Sequence, residues 1–320
     1  MMSNDNLPVQ KSEILFLYES TWSVPNGDPF TGEQRYDDET KKVLVSDVRI
    51  KRFIRDYFAE NGEEVFVIND RSALVADEKL KGSGAALRMK ALKTKYGSEA
   101  AVQRSNAKGK AEVDALKLMQ KCIDVRLFGG ISTEEGDAVN LTGPVQFALL
   151  NPSLNKVDLR IHQNTSVFSS SEDKSRGAIG TTTVVPYSLN QIHGWINPYS
   201  ARHTGLSEDD IKAMFKALWE SINNANTRTK SNQNSLLLLQ IVYAGPTKKL
   251  YGADRLIQLD RSKSEKREEQ IRNSDDYALD LSNLKKESSQ EVVAFVNFYT
   301  DKDELRKELA GLPKFAGMSL

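Results

Sequence analysis

The feature that most constrains the fold is a compact apolar run near the start of the chain, followed by an amphipathic helix. Residues 13–20 (EILFLYES) are bounded by polar residues and predict a buried central strand. Ser46 or Asp47 supplies the N-cap of a helix that ends at about Asn61, where Gly62 closes it. The apolar stripe that this helix is predicted to bury consists of Val48, Ile50, Phe53, Ile54, Tyr57 and Phe58.

The elements that follow predict an α+β fold. Short strands are predicted at residues 43–45 and 63–69 (EEVFVIN). Ser207 caps a second amphipathic helix that ends at Asn224, and residues 235–244 (SLLLLQIVYA) predict the strand that completes the unit. This order is that of a βαββαβ unit of the ferredoxin-like or RRM-like kind.

Two segments interrupt this unit. Residues 71–136 are rich in Ala, Lys and Gly and predict a helical insertion, with its best helix at residues 110–123 and a mobile portion at 81–109. Strand character returns at residues 141–150 (LTGPVQFALL). Residues 155–201 contain few helix formers and several Thr, Ser and Gly residues, which predicts an extended β-hairpin that projects from the body.

Residues 248–320 form a C-terminal extension of the unit. The charged run at 261–273 predicts a solvated surface segment. A last strand is predicted at residues 290–299 and a short closing helix at 301–309. A length of 320 residues allows two domains, but we expect one elaborated domain.

Composition excludes several classes of protein. No apolar run approaches the ~20 residues that a membrane-spanning helix needs, and the polar start of the chain lacks a signal-peptide pattern. Cys122 is the only cysteine, which excludes an intramolecular disulfide and argues against a metal–thiolate cluster. We therefore expect a cytoplasmic protein.

The balance of 44 basic and 44 acidic residues does not exclude nucleic-acid binding, because phosphates respond to local basic stripes.

The motifs of common enzyme sites are absent from the sequence. It contains no P-loop, no GxGxxG, no HExxH and no paired CxxC. The histidines His162, His193 and His203 lack metal-ligand spacing, and His193 is more typical of a packed structural residue. The sequence thus predicts no catalytic residue, no metal and no cofactor.

The first candidate site joins the loop Asn26-Gly27-Asp28-Pro29 to the first helix. Arg49, Lys51, Arg52 and Arg55 lie beside the apolar stripe, with only Asp56 to answer them in that stretch. The helix N-terminus at Ser46 adds backbone donors for an oxyanion. The pattern predicts a phosphate-facing strip; an ordinary solvated helix face is the open alternative.

A second candidate lies in the run 122–130, where Arg126 precedes Gly129 and Gly130. A double glycine would let another backbone come close. The favoured alternative is a helix end that turns into a loop, with Arg126 paired to an acidic residue.

Two further candidates are basic segments outside the helices. The projecting hairpin carries Arg160, His162, Gln163, Lys174 and Arg176, which suggests that it grips a partner; a disordered surface loop is the alternative. Arg228 and Lys230, in the run Arg228-Thr229-Lys230-Ser231-Asn232, suit phosphate or sugar contacts, although a simple polar turn fits the composition equally well.

Several runs together resemble a known family. The runs at 25–29 (PNGDP) and 44–57 (LVSDVRIKRFIRDY) resemble the Cas-seven family backbone subunit of type I Cascade complexes, in the RAMP superfamily, with the I-B form most similar and the I-C form next. The runs 124–129 (DVRLFG), 142–147 (TGPVQF), 185–187 (VPY) and 193–194 (HG) follow in the expected order. The likeness spans about the first 245 residues and leaves residues from Lys248 onward unassigned.

The resemblance implies an architecture and a function. It implies an RRM-like palm, a helical finger and a β-hairpin thumb, in copies that line up head to tail on one CRISPR guide RNA. Each thumb would displace a base at regular intervals, so that exposed bases pair with the target DNA strand. Other Cascade subunits would be partners: the end-cap, large and small subunits and the processing endonuclease. By this resemblance the residues near the RNA backbone are Asn26, Ser46, Arg49, Lys51, Arg52, Arg126 and Gln146.

Two other functions stay open at this point. An endoribonuclease of the same RRM-like superfamily would process CRISPR repeat RNA with His162, His193 or His203 as general acid or base. A protein-only assembly factor would use its basic positions for salt bridges. The chain lacks the aromatic RNP1 pattern, so stacking of bases on the sheet face is not the predicted mode of binding.

Overall fold

A computed structural model describes residues 7–68, 84–105, 111–132, 138–165, 179–260, 262 and 265–320. Within these ranges the strands are β1 (Ser12–Ser23), β2 (Tyr36–Asp37), β3 (Lys42–Ser46), β4 (Ala101–Ser105), β5 (Ala111–Val113), β6 (Gly129–Ser132), β7 (Val139–Thr142), β8 (Val145–Phe147), β9 (Leu150–Pro152), β10 (Arg160–Thr165), β11 (Ile179–Ile196), β12 (Gln233–Tyr243), β13 (Gln258–Asp260), β14 (Ala278–Asp280), β15 (Val293–Tyr299) and β16 (Phe315–Gly317). The α-helices are α1 (Asp47–Glu60), α2 (Gly84–Tyr96), α3 (Ala115–Gln120), α4 (Ile123–Phe128), α5 (Pro198–Thr204), α6 (Glu208–Asn223), α7 (Ser282–Ser288) and α8 (Asp303–Ala310). Short 3-10 helices lie at Ala253–Arg255, Glu268–Gln270 and Ser274–Asp276.

The main sheet is built around β1. Its strand order is β10-β11-β1-β12-β15-β16, and β8 pairs with β11 off this path. β1 runs antiparallel to both neighbours, so that Phe16 lies opposite Ile192 in β11 and Leu238 in β12. A strand with a neighbour on each edge and cover on each face is apolar along its whole length, which explains the run EILFLYES.

Two helices cover one face of this sheet. Ser46 caps α1 by accepting a hydrogen bond from the Arg49 backbone, and the inward face of α1 packs on Ile14 and Phe16. Ser207 caps α6 through a reciprocal capping box with Asp210. The predicted boundaries of both helices are therefore confirmed to within a residue.

The C-terminal residues cover the opposite face. Leu15 and Leu17 point there and belong to the same core as Leu250, Ile271 and Leu309. The prediction of a solvated segment at 261–273 is wrong at its end, because Ile271 is buried in this core. The predicted last strand and closing helix are observed as β15 and α8, and β16 follows them along the outer edge of β15.

The predicted strand at 63–69 is wrong. Residues 63–68 form no strand, because their backbone groups bond to α4 and its start: the Ile123 N–H donates to the Glu64 carbonyl at 2.9 Å, and the Phe66 and Val67 N–H groups donate to the Asp124 carboxylate. The strand that pairs with β11 is instead the short β8. In chain order, the elements that contribute to the core under α1 and α6 include β1, α1, α4, β8, β11, α6 and β12.

The insertion differs from its prediction. The single helix predicted at 110–123 is replaced by β5, α3 and α4, because Asp114 starts a helix by accepting from the Leu116 N–H at 2.9 Å and Cys122 starts the next. The portion predicted to be helical and mobile contains α2 and also β4, which pairs with β5. The strand predicted at 141–150 consists of three short pieces, β7, β8 and β9.

The hairpin is shorter than predicted. Pairing runs from Arg160 opposite Val184 to Thr165 opposite Ile179, and the rest of β11 belongs to the main sheet. Residues 198–201, predicted within the hairpin, instead belong to α5. Lys174 and Arg176 lie outside the described residues. The longest α-helix in the described ranges has 16 residues, and none found there could span a bilayer.

Candidate nucleic-acid interface

The loop at 25–29 is locked to the start of α1 by Asn26. This side chain is 5% exposed, and its Oδ1 accepts from the Ser46 N–H at 2.6 Å and the Ser46 hydroxyl at 2.8 Å. The Asn26 N–H donates to Gln34 Oε1 at 2.9 Å. Asn26 and Ser46, both predicted to lie near RNA, thus bind each other and fix the loop against the helix.

Three of the four predicted cations of α1 have carboxylate partners. Lys51 Nζ lies 3.3 Å from Asp47 and also donates to Gln146 Oε1 at 3.1 Å. Arg52 pairs with Asp56 at 2.6 Å on the exposed side of the helix. The expectation that only Asp56 answers this strip is therefore wrong, since Asp47 answers Lys51.

The carboxylate partner of Arg55 is Asp124, which lies on α4. Its Oδ2 accepts from Arg55 Nε at 2.9 Å, and the carboxylate is fully buried. Asp124 belongs to the run DVRLFG, so this motif holds α1 in place through the ion pair with Arg55. Arg55 is consequently a structural residue of the strip.

Arg49 differs from the other three cations. Its guanidinium stacks on the Phe53 ring at 3.8 Å, and its Nε is buried without a hydrogen-bond partner in the described part of the chain. No carboxylate pairs with it among the described residues. Burial lowers the pKa of Arg49, because water is removed from a charge that has no paired anion.

The turn at 227–232 brings a second cation to Arg49. The Val24 N–H donates to the Thr229 carbonyl at 2.9 Å, and Lys230 Nζ donates to the Val24 carbonyl. Lys230 and Arg49 line one cleft of about 340 Å³ with Phe53 and other residues of α1. Burial, followed by the charge of Arg49, lowers the pKa of Lys230 to about 8. The first and fourth sequence candidates therefore form one site, which nothing in the sequence indicated.

Arg49 also lines a second cleft. It measures about 650 Å³ and is lined by Pro29, Val48, Leu149 and Leu150 together with arginines of α1. Val48, predicted to lie in the buried stripe, is 68% exposed here, and Leu149 is 75% exposed. This cleft combines apolar walls with cations, as a surface for an unpaired nucleotide strand would.

Arg126 takes the alternative that its sequence favoured. Its guanidinium is bidentate to Asp210 of α6, with Nη2–Oδ1 at 2.7 Å and Nε–Oδ2 at 3.0 Å. Burial acts to raise the pKa of Asp210, but hydrogen bonds from Arg126 and Ser207 outweigh it and hold this pKa below its ordinary value. Arg126 thus clamps α4 to α6, and its donors do not face the clefts.

The predicted close backbone approach at Gly129 is confirmed. Gly129 has φ +77°, and a Cβ there would lie 2.1 Å from the Leu141 carbonyl oxygen. A Cβ at Gly143 would lie 2.0 Å from the Phe128 carbonyl carbon. The runs DVRLFG and TGPVQF therefore meet backbone to backbone. Gln146 in the second run donates to the Gly143 carbonyl at 3.0 Å and accepts from Lys51, which links this junction to α1.

The other predicted residues lie on separate surfaces. Arg160, His162 and Gln163 are on β10, and Arg228 is exposed in the turn beside Lys230. His193 is packed as predicted: its Nε2 lies 2.7 Å from the buried Glu13 carboxylate. Because His162, His193 and His203 lie on β10, β11 and α5, they share no secondary-structure element.

Comparisons with known proteins give one consistent family. The model of the family described as "CRISPR-associated protein Cas7" matches residues 10–282. A Haloferax volcanii protein of the same description is 26% identical over 297 residues, covering 86% of this chain and 82% of that protein.

Two solved structures share the fold. A chain of a "CRISPR RNA-guided surveillance complex, pre-nicking" has a TM-score of 0.53 at 14% identity, and the match covers 97% of this chain and 96% of that one. A chain of a "CRISPR RNA-guided surveillance complex" has a TM-score of 0.52 at 13% identity, and here 96% and 94% are covered.

Proposed function

The chain belongs to the Cas7 family of CRISPR-associated proteins, and from that premise we propose that it is the guide-RNA-binding backbone subunit of a type I, I-B-like, surveillance complex. The resemblance based on the runs PNGDP and SDVRIKR is confirmed at the level of the family. Subtype, RNA binding and pairing with target DNA belong to the proposal. So does the absence of a catalytic role.

One observation carries the proposal: Arg49 and Lys230, two partly buried cations, line one cleft, and neither forms an ion pair with a carboxylate of the described residues. Arg49 has no carboxylate partner in the described ranges, and burial lowers the pKa of Lys230. A phosphate placed between them would restore the lost solvation and relieve their mutual repulsion. The exposed Arg52 and Arg228 would add longer-range attraction for the strand.

The proposed RNA-binding surface contacts mainly the backbone of the RNA. The clefts carry cations and apolar side chains, which suit phosphates and base faces of any sequence, alongside neutral polar groups and the α1 carboxylates Asp47, Asp56 and Glu60. Specificity would then come from base pairing between the guide and a target DNA strand. Gln146, Asn26 and Ser46 would act by holding α1 and its loop in position.

The remaining parts take the roles that the family resemblance implies. We assign the antiparallel set β12-β1-β11-β8, with α1 and α6 on one face, to the RRM-like palm. The segment around α2 and α3 would be the finger, and the hairpin of β10 and the start of β11 the thumb. Arg160, His162 and Gln163 would reach the RNA from the thumb, and neighbouring copies would stack head to tail.

The test is RNA binding by the purified chain as salt is raised. We expect tight binding to single-stranded RNA that falls linearly with the logarithm of the salt concentration. Arg49→Ala/Arg52→Ala should weaken binding at every salt concentration and reduce the salt slope by roughly 1 for each phosphate that is no longer neutralised. Filter binding or fluorescence anisotropy measures both quantities.

A matched control removes the same charge elsewhere. Lys212→Ala/Lys216→Ala takes two cations from the exposed face of α6 and should leave the affinity and the salt slope near wild type. Equal binding by the α1 variant and wild type would place the RNA path on another surface. Cleavage of CRISPR repeat RNA by the pure protein would support the endoribonuclease, and no binding to RNA would support a protein-only assembly factor.

The pKa of Lys230 predicts a pH dependence. Because this pKa is about 8, the ammonium is charged below pH 8 and loses its proton above it. RNA affinity should therefore fall between about pH 7 and about pH 9, where unshifted lysines remain charged. Anisotropy titrations across this range on wild type and Lys230→Arg give the comparison. The arginine variant stays charged, so an identical fall in both proteins would rule out Lys230 as the titrating group.

A further inference from the structure

Trp22 is held in an unusual backbone conformation at the end of β1. Its φ is +48°, in the left-handed region that bulky residues rarely adopt. The side chain is nevertheless 57% exposed, so burial of the ring does not compensate the strain. Strain of this kind persists only where the surrounding structure imposes it, and it is concentrated at functional positions.

Two backbone hydrogen bonds impose the conformation. The Thr21 N–H donates to the Asn232 carbonyl at 3.0 Å, and the Val24 N–H donates to the Thr229 carbonyl at 2.9 Å. Asn232 is itself left-handed, with φ +52°. Trp22 is thus clamped between two contacts to the turn that carries Lys230, and its position relative to that turn is fixed.

The ring of Trp22 has no aromatic or cationic partner in the described residues, unlike the other two tryptophans of the chain. The Trp195 ring makes a tilted contact with the His193 ring at 4.4 Å, and Trp219 makes an edge contact with Tyr299 at 4.8 Å. The face of Trp22 is therefore available to a flat apolar group from outside the chain.

The cations of the turn and of α1 indicate which kind of molecule carries the flat group that would bind Trp22. Lys230 donates to the Val24 carbonyl two residues from Trp22, and Arg49 shares a cleft with Lys230. Exposed Arg228 lies in the same turn. An exposed indole at the end of a strand whose backbone docks on the turn that carries Lys230 and Arg228 fits a nucleic-acid strand, in which flat bases alternate with phosphates.

We propose that Trp22 is a stacking platform for one unpaired nucleobase of the RNA strand whose phosphates Arg49 and Lys230 bind. This inference rests on the proposed RNA-binding function and adds a base contact to it. The platform lies at the end of β1 and not on the sheet face, so it needs no RNP1 pattern. It predicts stacking that tolerates any base, since every base has a π-face.

Tryptophan fluorescence tests the stacking directly. Single-stranded RNA should quench wild-type emission in step with binding, and most of that quenching should be absent in Trp22→Phe. Trp195 and Trp219 remain in both proteins as internal references. A ribose-phosphate oligomer of equal length without bases should bind through its phosphates and leave the emission unchanged.

Affinity provides the second measurement. Trp22→Asn should bind RNA about tenfold more weakly, because base–aromatic stacking is lost, and should bind the abasic oligomer as wild type does. Asn tolerates the left-handed conformation, so this variant keeps the fold. Trp22→Phe keeps an aromatic ring and should retain most of the affinity.

The outcomes separate this inference from the proposed function. If Trp22→Asn and Trp22→Phe bind and quench like wild type while Arg49→Ala/Arg52→Ala still weakens binding, the platform is refuted and the phosphate site stands. If the wild-type protein does not bind RNA, both fail. If emission changes with protein concentration alone and RNA adds no further change, a second copy covers Trp22 and the base contact is refuted.

Discussion

Asp124→Ala is expected to lower the free energy of unfolding by about 3–5 kcal/mol, the usual cost of removing one partner of a buried ion pair. The Asp124 carboxylate is fully buried and accepts from three donors: the Phe66 N–H at 2.7 Å, the Val67 N–H at 3.1 Å and Arg55 Nε at 2.9 Å. Alanine would leave the buried Phe66 N–H without its acceptor and Arg55 without its paired charge.

The matched control removes a carboxylate that pairs with another arginine of α1. Asp56→Ala also removes a carboxylate from an arginine of α1, but Arg52 and Asp56 are about two-fifths exposed. Exposed pairs contribute at most about 1 kcal/mol, so this variant should unfold near wild type. Denaturant titrations of both variants, followed by circular dichroism, provide the midpoints and slopes.

Asp124→Asn refines the interpretation. An amide oxygen still accepts from the backbone of residues 66 and 67, but it provides no charge for Arg55. Its loss of stability should lie between the losses of Asp124→Ala and Asp56→Ala. Equal midpoints for Asp124→Ala and Asp56→Ala would mean that the buried carboxylate contributes no more than a surface pair.

Asp124 also shows why part of the fold could not be predicted from the sequence. The segment EEVFVIN has the apolar content of a strand, and local pattern alone assigns it to one. Its backbone donors instead bond to a carboxylate 57 and 58 positions along the chain. By contrast, α1, α6 and β1 were predicted because their signals are local: a capping residue, an apolar stripe and a bounded apolar run.

The candidate site divides along the same line. The spacing of the α1 cations in the sequence places them on one side of a helix. The sequence also favoured a pair between Arg126 and an acidic residue, without showing which one. The sequence could not show which cations are neutralised, because Asp124 lies on a different element from Arg55. Nor could it place Lys230 beside Arg49, or predict the strained backbone of Trp22, since both depend on the docking of the 227–232 turn.

Gly143→Ala is expected to cost more than about 3 kcal/mol of the free energy of unfolding, at or above the upper end of ordinary overpacking. A methyl group at this position would lie 2.0 Å from the Phe128 carbonyl carbon and 2.3 Å from its oxygen. Both are backbone atoms of the segment that leads into β6, so no side chain can rotate away. The strands β6 and β7 would have to separate, and with them the support that Gln146 gives to Lys51 of α1.

Alanine substitutions at two other glycines serve as controls for the loss of stability in Gly143→Ala. Gly180→Ala in β11 meets open space and should change the unfolding midpoint little. A methyl group at Gly130 would be tight only against the flexible end of Met119, at 3.0 Å, so Gly130→Ala should have an intermediate effect. Thermal unfolding of the three variants side by side would order them. A Gly143→Ala protein as stable as Gly180→Ala would mean that the two backbones can move apart at no cost. The runs DVRLFG and TGPVQF would then need an explanation other than the contact between them.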